Sequence, residues 1–118
     1  MNKQNIILIG MPGAGKSSVG VILAKVLGYE FIDTDLVIQH REKRLLREII
    51  ADEGNEGFLA IENEVNATLE ADKSVIAPGG SAIYGKEAME HFKEIGTIVY
   101  LKLSYDCLLY TSPSPRDP

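Results

Sequence analysis

The sequence predicts a three-layer α/β domain in which helices cover both faces of a parallel β-sheet. Short apolar runs typical of strands alternate along the chain with longer segments whose apolar residues recur at helical spacing. The first run, residues 5–9, is apolar almost without interruption, which indicates a strand buried on both faces of a parallel sheet. The chain has 118 residues, a length that suits one small domain rather than two.

The first third of the chain is predicted to form a strand, a helix and a second strand. The strand at residues 5–9 ends at Gly10, and a helical pattern begins after Lys16. Gly28 provides a plausible helix stop, and residues 31–32 predict the end of a second short strand. The apolar residues of the helix follow the spacing i, i+3, i+4, i+7 and i+8: Val19, Ile22, Leu23, Val26 and Leu27.

The middle of the chain is predicted to be helical. A first apolar stripe within residues 45–50 ends near Gly54. A second stripe carries two polar residues, Glu62 and Asn66, on positions that adjoin its apolar ones. The apolar positions of that second stripe are Phe58, Ile61, Val65 and Leu69.

The remaining pattern returns to the alternation of strand and helix. Residues 74–77 predict a third strand that stops at Pro78. A helix over residues 86–95 is expected to end at Gly96, and residues 97–101 predict a fourth strand. This order of elements, with right-handed crossovers, leads to the three-layer arrangement.

Composition limits the classes of partner. The chain holds 12 Lys and Arg against 17 Asp and Glu, a net charge of −5, which argues against broad binding to nucleic acid. Its apolar runs are much shorter than the roughly 20 residues that a membrane-spanning helix needs. Its one cysteine, Cys107, has no partner for an internal disulfide. We therefore expect a cytoplasmic protein with neither nucleic acid nor membrane as a partner.

Residues 10–17, Gly-Met-Pro-Gly-Ala-Gly-Lys-Ser, fit the phosphate-binding pattern G-x-x-x-x-G-K-[ST], the P-loop. Its glycines allow a tight turn whose N–H groups point at phosphate oxygens, and the following helix directs its positive end at the same anion. Lys16 is predicted to reach the β- and γ-phosphates as a catalytic residue, and the Ser17 hydroxyl to bind Mg²⁺. The predicted nucleotide-binding residues are Gly13, Ala14, Gly15, Lys16, Ser17 and Ser18.

The identity of the nucleotide follows only by elimination. A guanine-specific P-loop protein would be expected to carry an N-K-x-D segment late in the chain, and this sequence has none. ATP is therefore the better expectation.

Two aspartates follow the second predicted strand, where ligands bind in open α/β sheets. If strand geometry persists, Asp33 and Asp35 point the same way. One could then hold the metal through water while the other accepts a proton from a substrate hydroxyl. The alternative is that Asp35 merely caps a helix that starts at Leu36.

A glycine turn follows the third predicted strand at the same edge of the sheet. Gly79 and Gly80 could let a ligand approach the backbone closely, with N–H groups as donors. A plain turn is the equal alternative from these residues alone.

The order of these motifs resembles that of the shikimate kinase family, a branch of the nucleoside-monophosphate-kinase-like P-loop proteins. The resemblance rests on residues 5–18, on Phe-Ile-Asp-Thr-Asp at 31–35 and on Pro-Gly-Gly-Ser-Ala at 78–82, and it covers about residues 5–108. It implies a P-loop kinase fold and a monomer. It also implies transfer of the ATP γ-phosphoryl group, with Mg²⁺, to the 3-hydroxyl of shikimate in aromatic amino-acid biosynthesis.

The resemblance also implies roles for individual residues. Asp35 matches the carboxylate that binds the shikimate hydroxyls and acts as a base, and Asp33 matches the carboxylate beside Mg²⁺. Gly80 matches a backbone contact to the substrate, and Gly79 lies in the same turn. Ser81 stands where the family usually has a third glycine.

Two departures from the family pattern leave other functions open. In the segment 54–62, Leu59 replaces an arginine that grips the substrate carboxylate, which favours another small hydroxylated acceptor as an alternative. The family also continues into an arginine-bearing lid, a further strand and a C-terminal helix. We expect an incomplete kinase domain over residues 1–109 and a non-native-looking or disordered tail at 110–118, so a non-catalytic nucleotide-binding fragment is a further alternative.

Overall fold

The computed structural model describes residues 4–10 and 16–101, and it divides them into four strands, four α-helices and one 3₁₀ helix. The expectations for residues 11–15, for Cys107 and for the tail at 110–118 lie outside these residues. In chain order the elements are β1 (Asn5–Gly10), α1 (Lys16–Leu27), β2 (Glu30–Asp33), α2 (Thr34–Glu42), α3 (Leu46–Ala67), β3 (Ser74–Ala77), the 3₁₀ helix (Gly80–Tyr84), α4 (Lys86–Ile95) and β4 (Gly96–Leu101).

The four strands form one parallel sheet in the order β2-β3-β1-β4. The ladder pairs Ile7 of β1 with Ile76 of β3 and with Ile98 of β4. Because all strands run the same way, their carboxyl ends lie along one edge of the sheet. The predicted parallel α/β sheet is confirmed.

Side chains alternate between the two faces of the sheet, and each face is covered by helices. On one face Leu8 packs with Ala24 of α1 and Val75 of β3. On the other face Ile7 and Ile9 pack with residues of α4, among them Phe92. The three-layer arrangement is therefore confirmed.

Helices α2 and α3 also pack against each other. A separate apolar cluster joins them through three buried residues, Ile38, Ile49 and Val65. Helix α3 also packs against α4, so it connects this cluster with the covered face of the sheet.

Glycines mark two of the predicted helix boundaries. Gly28, directly after α1, has φ of 72°, and Gly54 has φ of 78° within the segment assigned to α3. Such positive φ values are readily adopted by glycine and interrupt an α-helix. The segment 46–67 is thus two helical stretches joined by a kink, in agreement with the apolar stripe that was expected to end near Gly54.

Within the described residues, no helix combines the length and the apolar character needed to cross a membrane.

A buried asparagine joins three elements at the amino edge of the sheet. The Asn5 amide donates to the backbone oxygens of Ala71 at 3.0 Å and Ile95 at 2.9 Å. Its side-chain oxygen accepts from the backbone N–H of Ser74 at 3.0 Å. Asn5 is only 2% exposed, so these partners lose their hydrogen bonds if its amide is removed.

We predict that Asn5→Ala lowers the free energy of unfolding by about 3 kcal/mol, because up to three buried polar groups lose their partner. Urea denaturation at neutral pH measures this change. Gln4→Ala is the control, since the Gln4 side chain is exposed, and it should cost no more than about 0.5 kcal/mol. Equal losses for the two variants would contradict the assigned role of Asn5.

Candidate active site

The carboxyl edge of the sheet brings the flank of the P-loop at the end of β1 beside two other chain segments predicted to bind ligand. The P-loop joins the end of β1 to the start of α1, the two aspartates follow β2, and the glycine turn follows β3. These three strands are neighbours in the sheet. The edge therefore gathers the segments from distant parts of the sequence.

The described part of the P-loop region comprises its two flanks. Gly10 ends β1, and Lys16 begins α1, with Ser17 and Ser18 exposed in the first turn of that helix. Gly13, Ala14 and Gly15 lie outside the described residues, as does the side chain of Lys16. The arrangement of a buried parallel strand followed by an α-helix is the context that the P-loop motif requires.

Asp33 caps the helix that follows β2. Its Oδ1 accepts a hydrogen bond of 2.9 Å from the backbone N–H of Asp35, and its own backbone is extended. The alternative that Asp35 caps a helix starting at Leu36 is wrong, because α2 already begins at Thr34. Strand geometry likewise ends at Asp33, so the expected strand alternation does not orient the two carboxylates.

Asp35, in the first turn of α2, lies against the glycine turn. A Cβ atom placed on Gly79 would be 2.9 Å from Oδ1 of Asp35 and 3.0 Å from Oε2 of Glu62. A side chain at position 79 would therefore force the Asp35 carboxylate to shift and would press tightly on that of Glu62. The structure thus brings together Asp35 and Gly79, which follow two different strands in the sequence.

Glu62 is the residue of this site that the sequence analysis did not single out as functional. It lies on α3, is only 2% exposed, and its Oε1 accepts a hydrogen bond of 2.7 Å from the Ser81 hydroxyl. Burial raises the pKa of its carboxyl group, and the nearby Asp35 charge raises it further, whereas the Ser81 hydrogen bond acts in the opposite direction. The available signal was an acidic residue beside the apolar stripe of a helix.

A cavity of about 320 Å³ opens between α3, the 3₁₀ helix and the start of α4. Its size suits a small organic molecule. Among the described residues that line it, Lys86 is the one basic residue, and the others are apolar, neutral or acidic. The lining residues that bear on its chemistry are Leu59, Glu62, Ser81, Tyr84, Lys86 and Glu87.

Asn63 fixes one wall of this cavity. Helix α4 follows Gly85, which has no side chain to cap it, and Asn63 of α3 does so instead. Its Oδ1 accepts from the Ala88 N–H at 3.0 Å, and its amide donates to Glu87 at 2.9 Å. This hydrogen bond is the main cause that lowers the pKa of Glu87. The start of α4 is thereby tied to the helix that carries Glu62.

The chemistry of the expected metal ligands fits Mg²⁺. Ser17 and Asp33 would supply hard oxygen atoms, which this ion prefers. Across residues 4–10 and 16–101, no group of three or more His, Cys, Asp or Glu side chains is placed to form a dedicated metal cage. Few protein ligands are typical of Mg²⁺ that is shared with nucleotide phosphates.

The fold and the edge of the sheet define the chain as a P-loop kinase domain. The family model for shikimate kinase matches residues 12–112. Shikimate kinase 2 of Yersinia enterocolitica is 39% identical over 105 residues, which cover 89% of this chain and 60% of that protein. Shikimate kinase 2 of Yersinia pestis is 37% identical over 101 residues, covering 86% and 58%. The chain belongs to the shikimate kinase family.

Solved structures agree with this assignment. Shikimate kinase from Acinetobacter baumannii, in complex with shikimate, is 34% identical with a TM-score of 0.78, and the match covers 95% of this chain and 63% of that one. The enzyme from Aquifex aeolicus is 30% identical with a TM-score of 0.75, covering 96% and 68%. A gluconokinase from Sinorhizobium meliloti, at 23% identity and a TM-score of 0.52, shares the fold, and its match covers 93% of this chain and 66% of that one.

The chain spans about 60% of the length of the curated relatives it matches. The expected family membership and fold class are confirmed by these comparisons. The roles of individual site residues stay predictions.

The raised pKa of Glu62 leads to a prediction about stability. Between the pKa of an unfolded glutamate and that of folded Glu62, the folded state binds more protons, so this group's contribution to stability is lost as pH rises. Glu62→Gln removes the titration but keeps an oxygen that accepts from Ser81. We therefore expect the variant to gain stability relative to wild type as pH rises from about 4 to about 7.

Urea denaturation across this pH range measures the difference. Glu90→Gln is the matched control, because it removes one acidic group from the exposed surface of α4. A stability difference between Glu62→Gln and wild type that does not change with pH would contradict the role assigned to burial.

Proposed function

We propose that the protein transfers the γ-phosphoryl group of ATP to the 3-hydroxyl of shikimate, a step of aromatic amino-acid biosynthesis, with Mg²⁺ as cofactor. The observation that carries the proposal is the meeting of P-loop flanks, acidic pair and glycine turn at the ends of three adjacent parallel strands. Family membership and the likeness to a shikimate-bound structure support it.

The nucleotide half of the site is proposed to lie at the start of α1. Backbone N–H groups of Gly13, Ala14 and Gly15, together with the unpaired N–H groups of the helix end, would bind the phosphates. Lys16 would place its charge on the β- and γ-phosphates, and Ser18 would add a contact in the first turn.

Ser17 and Asp33 are the residues proposed to hold Mg²⁺. Asp33 uses one oxygen atom to accept the Asp35 N–H, so its carboxylate is already oriented at the sheet edge. Bound there, the ion would neutralise charge on the transferring phosphate oxygens.

The acceptor half is proposed to comprise Asp35, Gly79 and Gly80. Asp35 would accept the proton of the acceptor hydroxyl while that oxygen bonds to the γ-phosphorus. The bond from the γ-phosphorus to the β–γ bridging oxygen breaks, and ADP leaves with the bonding electrons. Backbone groups of the glycine turn would orient the acceptor, and the close contact of Asp35 with Gly79 supports this division of roles.

We further propose that the protein acts in the cytoplasm as a monomer, with neither nucleic acid nor membrane as a partner. The net charge of −5 supports the absence of a nucleic-acid partner.

Removal of the P-loop lysine tests the nucleotide half. We predict that Lys16→Ala weakens binding of ATP with Mg²⁺ by about tenfold or more, because a charge-assisted contact to phosphate is lost. Isothermal titration calorimetry on the 118-residue chain measures the affinity. Lys25→Ala, at the far end of α1, should bind as wild type does. Unchanged affinity in Lys16→Ala would exclude the proposed nucleotide site.

Turnover distinguishes a second candidate function. A second candidate is nucleotide binding without catalysis, which the sparse positive charge of the cavity favours, since Lys86 is the one basic residue among its described lining residues. Under this candidate the 118 residues bind ATP without efficient phosphoryl transfer to shikimate, since closure and added positive charge accelerate such reactions. Rapid turnover by this chain would eliminate that candidate.

A third candidate concerns the acceptor. Leu59 is 38% exposed, lines the cavity beside Glu62 and stands at the position of the family's carboxylate-binding arginine. An acceptor that has hydroxyl groups but no carboxylate would not need that arginine.

We predict that Leu59→Arg improves the apparent affinity for shikimate by about tenfold or more, since an arginine–carboxylate contact contributes roughly 1.5–3 kcal/mol. Isothermal titration calorimetry with shikimate measures the affinity. Val26→Arg, on the exposed side of α1, is the charge-matched control. If Leu59→Arg has no effect and a carboxylate-free acceptor is used better, the third candidate replaces shikimate.

A further inference from the structure

Glu62 is a buried acidic residue to which the proposed chemistry gives no task. Its carboxylate is shielded from water, and among the described residues the groups that shift its pKa are Ser81 and Asp35, neither of which is basic. A buried carboxylate without a cation depends on hydrogen bonds to offset its loss of hydration. The Ser81 hydroxyl, at 2.7 Å from Oε1, provides such a bond.

The two carboxylate oxygens of Glu62 face two parts of the same turn. Oε1 accepts from Ser81, whereas Oε2 lies 3.0 Å from the position that a Cβ on Gly79 would take. Asp35 contacts that position from the opposite element, at 2.9 Å. The turn therefore lies between a carboxylate of α3, which is bonded to Ser81, and a carboxylate of α2.

This geometry also brings the carboxylates of Asp35 and Glu62 close to each other. Since both oxygens lie within 3.0 Å of one point, Oδ1 of Asp35 and Oε2 of Glu62 are no more than about 5.9 Å apart. Like charges at such a distance repel each other. The hydrogen bond from Ser81 fixes the Glu62 carboxylate in place, which keeps it from moving against Asp35 or away from the turn.

We propose that Glu62 and Ser81 are a positioning pair, whose hydrogen bond sets the distance between the Gly79–Gly80 turn and Asp35 and thereby shapes the acceptor site. The pair acts through the turn and needs no contact with the acceptor itself. The identity of that acceptor rests on the proposed function, whereas the effect on the turn does not.

Amide hydrogen exchange of the ligand-free 118-residue chain tests the effect on the turn. The reporter is the N–H of Ala82, which donates to the Gly79 carbonyl at 3.0 Å and is protected only while the turn is closed. We expect Ser81→Ala and Glu62→Ala each to speed its exchange about tenfold, because both remove the same bond to a carboxylate. The amide of Ile7, in the centre of the sheet, should keep its rate and so verify the fold.

Conservative and matched variants separate positioning from general loss of polarity. Glu62→Gln keeps an acceptor oxygen for Ser81, so its Ala82 exchange rate should remain within about threefold of wild type. Ser74→Ala removes another buried serine hydroxyl, one that donates to the Asp72 carbonyl, and should leave the Ala82 rate unchanged.

Calorimetry with shikimate and with ATP then tests the effect on the acceptor site. Ser81→Ala should weaken shikimate binding about tenfold and leave ATP affinity unchanged, and Glu62→Gln should retain shikimate binding.

Two results would overturn the positioning role. One is an Ala82 exchange rate within twofold of wild type in both Ser81→Ala and Glu62→Ala while Ile7 is unaffected. The other is a faster Ala82 rate with unchanged shikimate affinity, which would make the pair structural only. A third result is that the exchange rates are as expected but neither the wild type nor any variant binds shikimate. In that case the positioning of the turn by Glu62 and Ser81 stands, and the proposed acceptor is wrong.

Discussion

Parallel hydrogen bonding of β3 between β1 and β2 is the constraint on which the site depends. The ladder pairs Asp33 with Ala77, so the last residue of β2 lies beside the last residue of β3. The chain that continues from these two positions must therefore turn at the same edge, and it carries the acidic residues on one side and the glycines on the other. Neither segment could form a ligand site without that register.

The edge combines features that favour anions with features that favour hydroxyl groups. The start of α1 offers the positive end of a helix dipole, which suits phosphate. At the same edge of the sheet, Asp35 and Glu62 approach the Gly79 backbone. The proposed transfer between a polyphosphate and an alcohol would use both kinds of group. The burial of Glu62 is tolerated because the Ser81 hydroxyl donates a hydrogen bond to it. The neighbouring residue on α3, Asn63, accepts from the Ala88 N–H and so joins α3 to α4 beside Glu62.

Much of the fold could be predicted because its signals are local. Alternation of apolar runs placed all four strands, and Gly28 and Gly54 marked real interruptions of helices through their positive φ values. The sequence did not identify Asp33 as the N-cap of α2. The position of a cap depends on where the preceding strand ends, and Asp33 and Asp35 have the same side chain, so either could have capped a helix. The 3₁₀ helix after Gly79 was also missed, since it is only five residues long and begins with glycine and serine, which are typical of a plain turn.

The sequence by itself determined the parallel α/β class, the phosphate-binding motif and the order of the segments that carry chemistry, since each depends on spacing within a short stretch of chain. Only the tertiary structure decided that Glu62, 27 positions after Asp35, shares the Gly79 backbone with it and accepts from Ser81. Contacts of that kind form between elements that pack together after the sheet is assembled. Their distances follow from helix packing and strand register, which no local pattern specifies.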